Sequence, residues 1–127
     1  MKVRKSVLGQ QELQIMKVVW DRERVTVRDV YQALLERRQI AYTTVMTMMG
    51  ILEQKGYLKR TAGEDRAYVY EPAKSRKKVL RAMVSEFVER VFGGSANPLM
   101  VHLIEDEYLT SKDLDELRKS FRKKGGA

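Results

Sequence analysis

Cysteine is absent from this chain of 127 residues, which excludes a disulfide framework, a thiolate nucleophile and any thiolate-held zinc or iron–sulfur cluster. Histidine is nearly as scarce. His102 lies in an apolar neighbourhood ahead of Glu105, Asp106 and Glu107, but a catalytic zinc takes three protein ligands and no second imidazole exists, so no metal is expected. Long apolar runs are missing as well. None reaches the roughly 18 residues that suggest a membrane span, and residues 1–9 carry charge without the apolar stretch of a signal peptide. The chain therefore reads as cytoplasmic, with no membrane insertion. Gly-x-Ser-x-Gly, Walker and dinucleotide-binding fingerprints are also lacking, and no nucleophile or base has a suitable partner, so neither an enzyme nor a cofactor is expected.

The residues present describe an ordered, soluble chain, 43% hydrophobic and 33% charged. A formal net charge of +8 with a pI near 9.8 calls for a polyanionic partner. Nucleic acid and an anionic membrane surface both qualify, and charge alone does not choose between them. The basic excess divides equally between residues 1–71 and 72–127, so it is not a tail. Short clusters at Lys2-Arg4-Lys5, Arg76-Lys77-Lys78 and residues 118–124 have the composition of solvated faces and ends.

Periodicity predicts a first helix over residues 10–22, with Leu13, Met16, Val19 and Trp20 on its apolar side and Glu12 near its positive end. Thr26 with Asp29 forms a capping-box pair that starts a second helix, whose buried stripe is Val27, Val30, Tyr31 and Leu34. After a break at residues 38–41, a third helix covers residues 42–55 and stops at Gly56, a residue suited to a left-handed cap. Its Val45, Met48, Met49 and Leu52 point to the core, while Thr43, Thr44, Met46, Thr47 and Gly50 point away. Residues 57–60 and 67–70 read as two strands around a polar turn, and Pro72 closes the unit. This order is a winged helix-turn-helix, a fold that lays one amphipathic helix in the major groove with a β-turn beside it.

Beyond Pro72 the pattern gives a long helix over residues 75–92, a short one from Pro98 to about residue 106, and a last one capped by Thr110 and Asp113. Leu80, Val84, Phe87 and Val91 have the spacing of a helix–helix seam. Some fifty residues make a poor independent core. Their apolar faces, with Met83, Leu99, Leu103, Leu114, Leu117 and Phe121, suit the same segment of a second chain in a two-fold dimer. The expected fold class is mainly α within α+β: a winged-helix DNA-binding domain over residues 1–72 and a three-helix dimerisation region over residues 73–127.

Threonine hydroxyls can donate or accept at base edges and their methyls can pack on the thymine methyl. Thr43, Thr44 and Thr47 are therefore the candidate base readers, weighed against ordinary capping or exposed threonines. Met46 either makes apolar contact in the groove or is simply a tolerated exposed methionine. Lys55, Lys59, Arg60 and Arg66 on the wing side, with Tyr42, are candidates for phosphate contacts, which orient without reading sequence. Tyr68 and Tyr70 read as half-buried strand residues.

On these residues the chain resembles the penicillinase repressor (BlaI/MecI) family. The resemblance rests on residues 11–16 leading to Trp20, on Thr44-Val45-Met46-Thr47 with Leu52 and Lys55-Gly56-Tyr57-Leu58, on residues 66–70 followed by Pro72, and on residues 109–117. It implies a homodimeric repressor of dyad-symmetric, double-stranded DNA operators. Thr43, Thr44 and Thr47 then match recognition-helix positions, and Arg66 matches the wing arginine. Two positions depart from the family pattern: Thr43 stands where a basic residue is common, and Ile51 where an arginine is. The resemblance also implies a β-lactam or cell-envelope stress signal and a partner sensor protease leading to a cut at an Asn-Phe bond. The aligned pair here is His102-Leu103. Copper-responsive relatives carry C-terminal cysteines, and this chain has none. The competing expectation is a winged-helix module that binds another protein through the exposed face of its third helix.

Overall fold

Local capping sets the start of the first, second and last helices. In the computed structural model, which describes residues 8–123, α1 spans Gln10–Arg22, and the Glu12 carboxylate accepts the Gly9 N–H at 2.9 Å. α2 spans Val27–Leu35 behind a complete capping box. There Asp29 N–H donates to Thr26 Oγ1 at 3.1 Å, and Thr26 N–H donates to the Asp29 carboxylate at 2.9 Å. α3 spans Tyr42–Gln54. It ends in a Schellman motif, in which Tyr57 N–H bonds to the Leu52 carbonyl at 2.9 Å and Gly56 N–H to the Glu53 carbonyl at 3.0 Å. Gly56 takes φ +86°, a conformation that penalises any Cβ.

The sheet is an antiparallel pair, β1 (Leu58–Ala62) and β2 (Tyr68–Pro72), with Leu58 opposite Pro72 and Ala62 opposite Tyr68. Both strands lie slightly later in sequence than the pattern predicted. Tyr57 is taken by the α3 cap and buried, and Pro72 is the last paired residue rather than a stop outside the sheet. The turn holds a short 3-10 helix, Glu64–Arg66. A Cβ on Gly63 would meet Val69 Cγ2 at 2.5 Å and the Ala67 carbonyl oxygen at 2.9 Å, so only glycine fits there. Val25 exchanges both backbone hydrogen bonds with Tyr70, at 3.0 and 2.7 Å, which stitches the α1–α2 connection to the sheet edge.

Two compact units divide the chain, Met1–Val84 and Ser85–Ala127. The core of the first is built from Ile15, Met16, Val19, Val25, Val30, Val45, Met49, Leu52, Tyr57 and Leu58, with Tyr70 and Val79 closing it. Ile15, absent from the predicted stripe, is fully buried, whereas Leu13, Trp20, Val27, Tyr31 and Met48 are partly buried around it. The first compact unit extends past Pro72 to Val84, for a packing reason. α4 (Arg76–Phe92) sends Val79 into the first unit's core and lays Met83, one turn on, against it. Trp20 Nε1 also donates to the Lys74 carbonyl at 3.0 Å.

In the second unit, the rest of α4 is followed by α5 (Asn97–Glu105) and α6 (Ser111–Lys123). Thr110 and Asp113 form the expected capping box, at 2.9 and 3.2 Å. Phe87 meets Phe92 edge-on at 5.8 Å, and the His102 ring lies 5.8 Å from Phe92. Neither α5 nor α6 has a buried residue among those described. Among the described residues, no helix is long and apolar enough to cross a membrane.

Candidate nucleic-acid interface

Three fully buried side chains, Val45, Met49 and Leu52, fix the rotation of α3 against the first unit's core. That rotation turns Thr43, Thr44, Met46 and Thr47 outward, and all four are exposed. The four candidate readers thus share one solvent face. Met46 is 46% exposed, and Ile51, one turn beyond Thr47, is 39% exposed. Tyr42, at the start of α3, is exposed and meets the Tyr31 ring edge-on at 5.4 Å. No lysine, arginine or histidine occurs anywhere in α3, and its one carboxylate, Glu53, sits in the last turn.

Three of the candidate phosphate-binding cations, Lys55, Lys59 and Arg60, are held by partners within the fold. Lys55 Nζ lies 3.0 Å from Glu12, tying the end of α3 to the start of α1. Arg60 Nε lies 3.5 Å from Glu53, with its guanidinium 4.1 Å over the Tyr68 ring. Lys59 Nζ is 3.9 Å from Glu71, which also faces Arg24 at 3.5 Å. The pairs of Lys59, Arg24 and Arg60 are solvated, and such pairs contribute only about 0.2–1 kcal/mol, so a phosphate can compete for these cations. Lys55 is more firmly engaged, because Glu12 also accepts the Gly9 amide. The side chain of Arg66 lies outside the described residues.

Burial by itself would raise the Glu12 carboxyl, but the Gly9 amide and the hydrogen bond and charge of Lys55 outweigh it and hold the group below the ordinary carboxylate value. Burial pushes the Tyr57 phenol up; Lys55 works against this and Glu12 with it. The Tyr57 hydroxyl is buried with no hydrogen-bond partner among the described residues. The Glu12–Lys55 clamp spans 43 positions, and no local pattern marks it in the sequence.

The chain matches the family model described as "Penicillinase repressor" over residues 8–123. It belongs to the penicillinase repressor family. The transcriptional regulator BlaI of Mycobacterium tuberculosis is 35% identical over 115 residues, covering 89% of this chain and 81% of the relative. The penicillinase repressor of Bacillus licheniformis is 26% identical over 106 residues, covering 84% of this chain and 82% of the relative. Among solved structures, the DNA-binding domain of the repressor BlaI superposes with a TM-score of 0.51 at 27% identity, covering 59% of this chain and 90% of that one. The winged-helix fold of this family member follows, and so does its class: it is a DNA-binding transcriptional repressor and not an enzyme.

The residues expected to join two penicillinase repressor chains are distributed unevenly. Val84, Phe87, Val91, Leu117 and Phe121 are 59, 40, 47, 52 and 63% exposed, an unusual state for large apolar side chains at such spacing. Leu80, Leu99, Leu103 and Leu114 are half-buried. Met83 differs from the expectation, because it packs on the core of the first unit. Sequence periodicity passed over Met100, Val101, Ile104 and Tyr108, which are exposed to 36, 50, 45 and 75%. His102 is exposed, and its peptide bond to the half-buried Leu103 lies inside α5, where the His102 carbonyl accepts the Asp106 N–H at 3.0 Å.

Proposed function

We propose that this protein represses transcription in the cytoplasm by binding, as a homodimer, a dyad-symmetric operator with α3 in the major groove. One observation carries the proposal. The buried Val45, Met49 and Leu52 fix α3 so that Thr43, Thr44, Met46 and Thr47 all face outward together. Lys59, Arg60 and Arg66 with Tyr42 supply the contacts to phosphate. Lys59 and Arg60 exchange weak, solvated partners for a stronger multivalent anion. Lys55 acts first as the clamp that holds α3 on α1.

The exposed apolar side chains Val84, Phe87, Val91, Leu117 and Phe121 support the dimer, together with the half-buried Leu80, Leu99, Leu103 and Leu114. One winged helix makes few base contacts, and two held at fixed spacing gain through effective concentration. Control then acts on the dimer. A cell-envelope or β-lactam signal relayed through a sensor protease suits the family, and a cut at His102-Leu103 would require α5 to open first.

A salt series tests the reading together with Phe87→Glu. Operator affinity should fall by orders of magnitude between low and physiological salt as counterions are released. The Phe87→Glu chain should sediment as a monomer and lose operator binding. Salt-independent binding would favour a protein partner for α3, and a monomer that still binds tightly would remove the dimer from the mechanism.

A further inference from the structure

Direct readout relies on a small set of pairings: arginine or lysine for guanine, asparagine or glutamine for adenine, a carboxylate for cytosine, and an apolar group for the thymine methyl. α3 offers almost none of the first three. It has no cation, its Glu53 is paired with Arg60 at 3.5 Å, and its one carboxamide, Gln54, is the last residue of the helix. What faces outward is methyl-bearing: Thr43, Thr44, Thr47, Met46 at 46% exposure and Ile51 at 39%. Thr43, Thr47 and Ile51 follow one another at four-residue intervals, which places three methyl-bearing side chains along one line of the helix.

Gly50 adds an independent observation. It lies in the middle of α3, one turn after Met46, where glycine is less favourable than alanine by about a factor of four to five. The fold does not require it, since a Cβ there would meet nothing within 4 Å and no positive φ is involved. The position is open: the missing side chain leaves backbone beside Met46 and Ile51 with nothing within 4 Å of where a Cβ would stand.

We propose that the operator is read chiefly through thymine C5-methyl groups, which pack against the methyls of Thr43, Thr47, Met46 and Ile51 and approach the helix closely at the open position of Gly50. This rests on the major-groove reading of α3 and names the chemistry that α3 recognises. The threonine hydroxyls satisfy the neighbouring polar base edges. Specificity on this helix then comes from shape and apolar burial, without a bidentate guanine contact.

The test uses duplexes recovered from a random pool by the full chain, prepared with thymidine or with deoxyuridine at one symmetric pair of positions at a time. Deoxyuridine removes the methyl and leaves every hydrogen-bonding group in place. For contacted pairs the affinity should fall about fifteen-fold, fourfold for each half-site, because one buried methyl is worth roughly 0.8 kcal/mol. Thr47→Ser keeps the hydroxyl and removes the methyl, so in that variant the deoxyuridine penalty at the contacted pair should shrink to about twofold. Selected duplexes that bind equally well with every thymidine replaced would overturn the proposal while leaving operator binding intact. If no sequence is enriched from the pool, the DNA reading of α3 fails, and the methyl reading falls with it.

Discussion

Met46 and Met49 are the same residue type three positions apart on α3, yet one is 46% exposed and the other fully buried. Replacing each by alanine should therefore separate recognition from folding. Met49→Ala removes three heavy atoms from a closed core, and large-to-small changes of this kind cost about 2–4 kcal/mol. With a urea slope of about 1–2 kcal/mol/M, the unfolding midpoint should move down by roughly 1–4 M. Trp20 is the single tryptophan and packs against this core, so its fluorescence reports the transition. Met46→Ala should shift that midpoint by less than the equivalent of about 0.5 kcal/mol, because alanine's helix propensity offsets the little packing lost. The effect on DNA should be reversed. Burying a methionine fully is worth about 2 kcal/mol, and the 46% that remains exposed sets the share still to be gained in the groove. That is about 1 kcal/mol per half-site, or roughly thirty-fold for a two-fold complex. Met49→Ala, assayed in water where it remains folded, should bind within about threefold of the parent chain. Equal destabilisation by both variants, or no loss of binding in Met46→Ala, would refute the assignment of faces on α3.

Further outcomes follow from other contacts. Gly50→Ala should stabilise the first unit by about 0.5–1 kcal/mol in urea unfolding, since nothing obstructs the new Cβ, while weakening operator binding. Thr26→Ala removes the acceptor for Asp29 N–H and should cost about 1 kcal/mol of stability, read by the same fluorescence. The Glu12 carboxyl is held below its ordinary value of 4.5 in the folded state. Its contribution is therefore complete above that pH and is lost as pH falls through the lower folded value. Glu12→Gln should be less stable than the parent chain at neutral pH and converge with it in acid, and a variant as stable as the parent at neutral pH, with the same fall on acidification, would contradict the clamp. Leu117→Asp should reduce sedimentation mass with little change in urea midpoint, because Leu117 is 52% exposed in the single chain.

Much of the helix-turn-helix was legible because its signals are local. Thr26 with Asp29 and Gly56 after Lys55 act within a few residues, so α2 starts behind its capping box and the α3 cap follows the pattern, while α1 begins and ends where the periodicity placed it. The sheet was less legible. Tyr57 has strand character, but the Schellman hydrogen bond to Leu52 takes its amide, which moves β1 one residue on. α4 was legible on one face only. The row Leu80, Val84, Phe87 and Val91 stands out in the sequence, while Val79 and Met83 form a second apolar row that joins the first unit's core only once the chain is folded. At the interface, the outward threonines followed from the buried spacing of Val45, Met49 and Leu52. The internal pairing of Lys55 and Arg60 did not, because Glu12 and Glu53 are brought to those cations only by the folded chain.

The most direct test of sequence-specific repression through α3 is selection of bound duplexes by the full chain from a random pool, at physiological salt. Recovery of one dyad-symmetric sequence, with half-sites about one helical turn apart or a multiple of it, is the predicted result. A pool that emerges unenriched, or enriched only for a sequence without dyad symmetry, would contradict it.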